Sequence, residues 1–63
     1  MAKMVVYKSL DDYCVTTLAN YNSYVQNTRT IQRLQGFTSF QEVIEYYCKY
    51  FNAKEEDFVV IRN

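Results

Sequence analysis

Histidine, proline and tryptophan are missing from this chain of 63 residues, and glycine occurs once, at Gly36. Each absence removes a class of function. Without histidine the commonest general base is gone, and with it any Ser–His or Cys–His nucleophile pair. Zinc sites usually draw their ligands from cysteine and histidine, and the only cysteines, Cys14 and Cys48, lie far apart in sequence. A single glycine cannot build a GxGxxG or a Walker-type phosphate loop. The lack of proline and near-lack of glycine also exclude a flexible linker or a low-complexity arm. No catalytic set, no metal site and no cofactor is therefore expected.

Long apolar runs are missing too. The run inside Met1–Tyr7 ends at Lys8, far short of a signal peptide's apolar region or the ~20 residues that span a bilayer. No membrane partner is expected, and the default location is the cytoplasm. Two cysteines agree with that, since small secreted domains usually carry more. Cys14 and Cys48 are read as buried, reduced thiols acting as small hydrophobes.

What is present points to a folded domain. Hydrophobic residues make up 49%, aromatics 17%, and the net charge is zero, whereas disordered chains combine low hydrophobicity with high net charge. Seven tyrosines and four phenylalanines supply large apolar area. The chain is read as one domain over 1–63. At this length folding buries only about 60% of the unfolded surface, so a deep, water-excluding cleft would remove much of the core. That argues against an enzyme. Charge is unevenly spread: the middle, 13–41, carries only Arg29 and Arg33, while 42–63 has an acidic excess from Glu42, Glu45, Glu55, Glu56 and Asp57. With a pI near 6.1 there is no strong basic stripe of the kind nucleic-acid binders carry.

The clearest element is TSFQEVIEYYCKYFN, residues 38–52. Ser39 precedes Glu42 at capping-box spacing. Phe40, Val43, Ile44, Tyr47, Cys48 and Phe51 share a helical face, and Asn52 follows as a C-terminal cap. Residues 53–57 read as a turn, and FVVIR at 58–62 as a strand that can join MVVY at 4–7 in one sheet. Residues 9–37 admit two readings. Leu10, Tyr13, Cys14, Thr17, Leu18, Tyr21, Tyr24 and Val25 fall at helical spacing, which would give β-α-α-β with 10–25 helical. Composition favours a hairpin instead, because tyrosine, valine and threonine suit strands, while asparagine and serine suit turns. That reading has a strand at 13–19, a turn at 20–23 and an irregular strand at 24–34. The fold expected is α+β, β-β-β-α-β, a mainly antiparallel sheet with one amphipathic helix on one face and water on the other.

The stretch ANYNSYVQNTRTIQRLQG, 19–36, is the candidate site: eleven of its eighteen residues are Asn, Ser, Gln, Thr or Arg. A sheet face open to water must be polar, which would account for the composition without any function. Yet the stretch has no acid and no lysine, and tyrosine with arginine is the pairing most enriched at binding hot spots. Tyr21, Tyr24, Arg29 and Arg33, with Asn22 and Gln32, are the expected partner-binding residues. Tyr46 and Tyr50 form a second aromatic pair, read chiefly as core packing. Asp11–Asp12 and Glu55–Glu56–Asp57 read as solvated turn charges.

In its small size, its lack of histidine and its poverty of glycine, the chain resembles phage-encoded inhibitors, including anti-CRISPR proteins. The likeness is one of size and style, and no motif carries it. It agrees with the function expected from the residues: a non-enzymatic protein-binding module, an inhibitor or modulator that occludes the surface of a protein partner, of acidic character if the arginines meet it. The alternative is weak single-strand nucleic-acid binding through Arg29, Arg33 and the nearby tyrosines. A homodimer through an exposed edge strand, Met4–Tyr7 or Phe58–Ile61, is a third expectation.

Overall fold

The β-branched run after Lys3 extends as strand β1 (Met4–Ser9) and turns back at once into β2 (Asp12–Thr17). The computed structural model describes residues 3–62. The turn is Leu10–Asp11, with Leu10 at φ 56°; two-residue hairpin loops need such a φ to match the twist of the strands. β1 and β2 pair antiparallel from Met4↔Thr17 to Ser9↔Asp12. A short third strand, β3 (Gln32–Leu34), pairs antiparallel with β2, and β4 (Phe58–Ile61) runs parallel to β1. The order is β3-β2-β1-β4. The fold is α+β, with a mixed four-stranded sheet, and the strands nearest the two chain ends are neighbours.

β3 and β4 stand on opposite edges, so the chain must cross the whole sheet between them. Helix α2 (Phe40–Tyr50) makes that crossing. Ser39 caps it, accepting from the Glu42 N–H at 3.2 Å. Glu42 reaches back one residue further than a standard capping box, to the N–H and hydroxyl of Thr38 at 2.6 and 2.7 Å. Asn52 takes a left-handed φ of 58° just past the helix end, the usual way a helix stops when no glycine is present. Val43, Ile44 and Tyr47 point into the core against Val6, Tyr13 and Val15, with Met4, Leu34, Phe40, Phe58 and Val60 around them.

The register puts Val5, Tyr7, Cys14, Thr16 and Arg33 on the opposite face. Val5, Cys14 and Thr16 are buried there, so that face is not left to water as the composition suggested. The polar stretch folds over it. Its first turn is the one-turn helix α1 (Leu18–Tyr21), capped by Thr17, and Tyr21 lays its ring 5.4 Å from that of Tyr7. The helical alternative for 10–25 is limited to these four residues, because strand pairing with β1 on one side and β3 on the other claims 12–17. The expected strand at 24–34 is only Gln32–Leu34; the residues before it form a loop ending in a 3₁₀ turn at Thr28–Thr30. Asparagine-rich backbone finds its hydrogen bonds locally rather than in a ladder.

The two cysteines are free. Cys14 is buried on the α1 side, whereas Cys48 is only partly buried and packs on the α2 side. The sheet stands between them and no bridge can span it. Among the described residues no helix is long and apolar enough to cross a membrane.

Candidate functional site

The loop from Asn20 to Thr30 has one apolar anchor, the Tyr21 ring against Tyr7, and is otherwise held by hydrogen bonds that centre on one side chain. The Asn20 amide lies 2.8 Å from the buried Thr16 hydroxyl, 3.1 Å from the Asn27 carbonyl and 3.1 Å from the Thr30 hydroxyl. Its two N–H groups are shared among these three acceptors. Its oxygen accepts from the Asn27 N–H at 2.8 Å. Both ends of the loop are thus tied to one residue, which is tied in turn to β2. Gln26 donates to the Tyr21 carbonyl and Ser23 to the Val25 carbonyl, both at 2.9 Å. The Asn27 side chain accepts from the Arg29 N–H at 3.1 Å.

This network leaves two apolar side chains outside. Tyr24 is fully exposed (103%) and Val25 nearly so (79%). They sit at the loop's far end, on backbone hydrogen-bonded from within. Arg29 is exposed nearby and forms no ion pair among the described residues.

The six residues expected to bind a partner are divided by the fold. Tyr24, Arg29 and Asn22 stay together on the exposed loop. Tyr21 is half-buried against Tyr7 and props the loop rather than facing outward. Arg33 lies on β3 and donates to Asp12 Oδ2 at 3.1 Å; that carboxylate holds the guanidinium more firmly in its charged form. Gln32 is on the other face, its Oε1 accepting from the Tyr47 hydroxyl at 3.2 Å. The strand that brings Asp12 beside Arg33 is distant in sequence, so the acid-free character of 13–41 does not survive folding.

Two important residues carried weak signals. Asn20 was one asparagine among several, and its partner Thr16 is hidden in a strand. Val25 falls in the stretch 24–34, whose composition reads as an irregular strand. The recurrence of asparagine at 20, 22 and 27 beside serine and threonine is the pattern of side chain–backbone turns, and could have marked a structured loop.

A second surface lies on α2. Tyr46 is packed among Phe37, Tyr47, Tyr50 and Phe51, with ring centroids 5.1–5.8 Å apart. Tyr46 is therefore a packing residue, while Tyr50 and Phe51 are exposed. Beside Phe51 is an open groove of about 340 Å³ lined by Met4, Val15, Tyr47, Phe51, Ala53 and Phe58 and, on its polar side, by Thr17, Thr30 and Gln32. Burial, and then the neighbouring Tyr46, push the Tyr47 phenol up, and burial followed by the Cys14 thiol does the same to Tyr7. Among the described residues no three of His, Cys, Asp and Glu cluster closely enough to hold a metal ion. Comparison with known protein families, with curated proteins and with solved structures finds no match to this chain.

Proposed function

We propose that the protein is a non-enzymatic binding module that attaches to another protein through the Asn20–Thr30 loop and acts by covering its partner's surface. The observation that carries this reading is the Asn20 clamp with Tyr24 and Val25 held outside it. An exposed tyrosine on ordered backbone loses little conformational freedom when it binds, which is how preorganised binding loops gain affinity. Arg29 supplies the adjoining charge and suits an acidic rim on the partner. A strand of nucleic acid is less well matched. Phosphate tracking needs several cations along a groove, and the Arg33–Asp12 ion pair leaves Arg29 as the loop's one free cation among the described residues. The module would work in a reducing compartment such as the cytoplasm, where Cys14 and Cys48 remain thiols.

The test is capture of a partner from the source cell on the tagged full chain, followed by binding measurements with variants. Tyr24→Ala should weaken binding at least about tenfold while shifting stability by no more than about ±0.5 kcal/mol, because the ring touches nothing in the fold. Asn20→Ala should weaken binding and also cost ~1–3 kcal/mol, since it strips hydrogen bonds from both ends of the loop. A Tyr24→Ala protein that folds and binds as the wild type does would move the surface to Tyr50 and Phe51.

A further inference from the structure

We propose that β4 is a self-pairing edge: Phe58–Val60 of one copy pairs antiparallel with Phe58–Val60 of a second copy, joining two sheets into one. The two edges of the sheet are built differently. β3 is three residues long and carries the ion-paired Arg33, the features by which sheet edges are made unattractive to further strands. β4 reads Phe-Val-Val-Ile, with neither charge nor proline, and all four residues are only partly buried. Among the described residues its sole neighbour is β1, so one side of its backbone is unpaired. β1 is interior, which removes Met4–Tyr7 as the edge.

The flanks of β4 choose the occupant. Before it stands the 3₁₀ turn Glu55–Asp57, three acids in a row, with Lys3 and Lys54 beside Glu56 and Asp57, an excess of one acid. The turn's carbonyl at Glu56 accepts from Lys3 at 2.8 Å, yet the side chain of Glu56 stays exposed. After it stands Arg62, beside Lys8 in a shallow basic recess with Phe40 and Ile61. An incoming parallel strand of the same kind would set acids against acids. An antiparallel strand must be apolar in the middle, basic where β4 is acidic, and acidic where β4 is basic, and this chain's own β4 meets all three conditions. A two-fold axis normal to the sheet keeps α2 on the same face in both copies, so only residues of like face can oppose each other. An axis through Val59 satisfies this. It sets Phe58 opposite Val60 of the other copy and brings Arg62 to the end of the strand where the other copy's acidic 3₁₀ turn Glu55–Asp57 stands, twice over by symmetry. Opposite charges placed across strands attract and like charges repel.

The proposal is tested by sedimentation velocity of the full chain across a wide concentration range, joined to amide hydrogen exchange. The expected result is a monomer–dimer equilibrium with concentration-dependent protection of amides within Phe58–Val60. Arg62→Glu should weaken the dimer roughly tenfold, Glu56→Arg should do the same, and the double variant Arg62→Glu/Glu56→Arg should restore it. The double variant also guards against a single variant that merely folds poorly. Tyr24→Ala should leave the dimer intact, which separates this edge from the loop. A monomer at every concentration would overturn the proposal. So would a dimer whose protection lies away from β4, or one indifferent to both charge reversals.

Discussion

Leu10 is the most exposed leucine of the fold and holds a backbone conformation that leucine disfavours. It is 89% exposed at φ 56°, at the first position of the β1–β2 turn, where glycine would enter a positive φ without a Cβ clash. The hairpin tolerates it because six consecutive residue pairs, Met4↔Thr17 through Ser9↔Asp12, hold the strands on either side. Leu10→Gly should therefore stabilise the protein by about 0.5–1 kcal/mol, the relief of strain exceeding the extra freedom glycine brings to the unfolded chain. Thermal unfolding of the two proteins measures this, and an unchanged or lower melting temperature would mean the turn stores no strain. Asn20 is the opposite case. It spends every polar atom of its side chain on local order, and its effect is felt at Tyr24 and Val25, which it does not touch.

Among the elements, α2 combines local and tertiary support most fully. Its inward face is apolar, its N-terminus is capped by Ser39, and Glu42 returns to Thr38. These hydrogen bonds from the Thr38 N–H and hydroxyl hold the Glu42 carboxyl below its ordinary value. A carboxyl depressed in the folded state stabilises fully above its unfolded pKa, and that contribution fades as pH falls through the folded one. Glu42→Gln, which keeps the shape but not the charge, should thus be less stable than wild type near neutrality and approach it on acidification. Denaturant midpoints measured for both proteins down the acid range check this. A gap that stays constant with pH would show that the carboxylate form is not what the Thr38 bonds favour. The α1 turn is different in kind: four residues without a buried side chain, too short to be stable alone, and held through Thr17, Asn20 and the Tyr21–Tyr7 contact.

For the whole molecule, the parallel pairing of β1 with β4 closes the structure. The Cα radius of gyration is 11.0 Å, near the ~10.6 Å expected of a compact chain of this length. Phe58 and Val60 flank Met4 and Val6 on the α2 side, and Val59 flanks Val5 on the other. A chain ending at Asp57 would uncover both faces of β1 at once, and a domain this small has little stability to spare. Such a truncated chain should show no cooperative thermal transition by far-UV circular dichroism. A cooperative transition near that of the full chain would mean that β1–β2 and α2 form a sufficient core without β4.

Sequence alone determined the elements whose causes are local. Residues 38–52 contain the cap, the apolar spacing and the terminating asparagine of α2, and the β-branched runs at 4–7 and 58–61 could hardly be anything but strands. The exclusion of histidine- and glycine-dependent chemistry was equally plain, because it follows from composition. Tertiary structure alone decided the rest. Periodicity and composition disagreed over 10–25, and neither could anticipate that 12–17 is claimed by neighbours on both sides while only 18–21 is left to coil. Tyr21, Tyr24, Arg33 and Gln32 look alike in a polar stretch, yet Tyr7, open solvent, Asp12 and Tyr47 give them four different surroundings. Those surroundings come from pairings between residues distant along the chain, and no local pattern records which strand will arrive beside which. The face opposite α2 was read as wet because its covering is polar. It is dry at Val5, Cys14 and Thr16, where the α1 turn, the Tyr21–Tyr7 contact and the Asn20–Thr16 hydrogen bond hold that covering on the sheet.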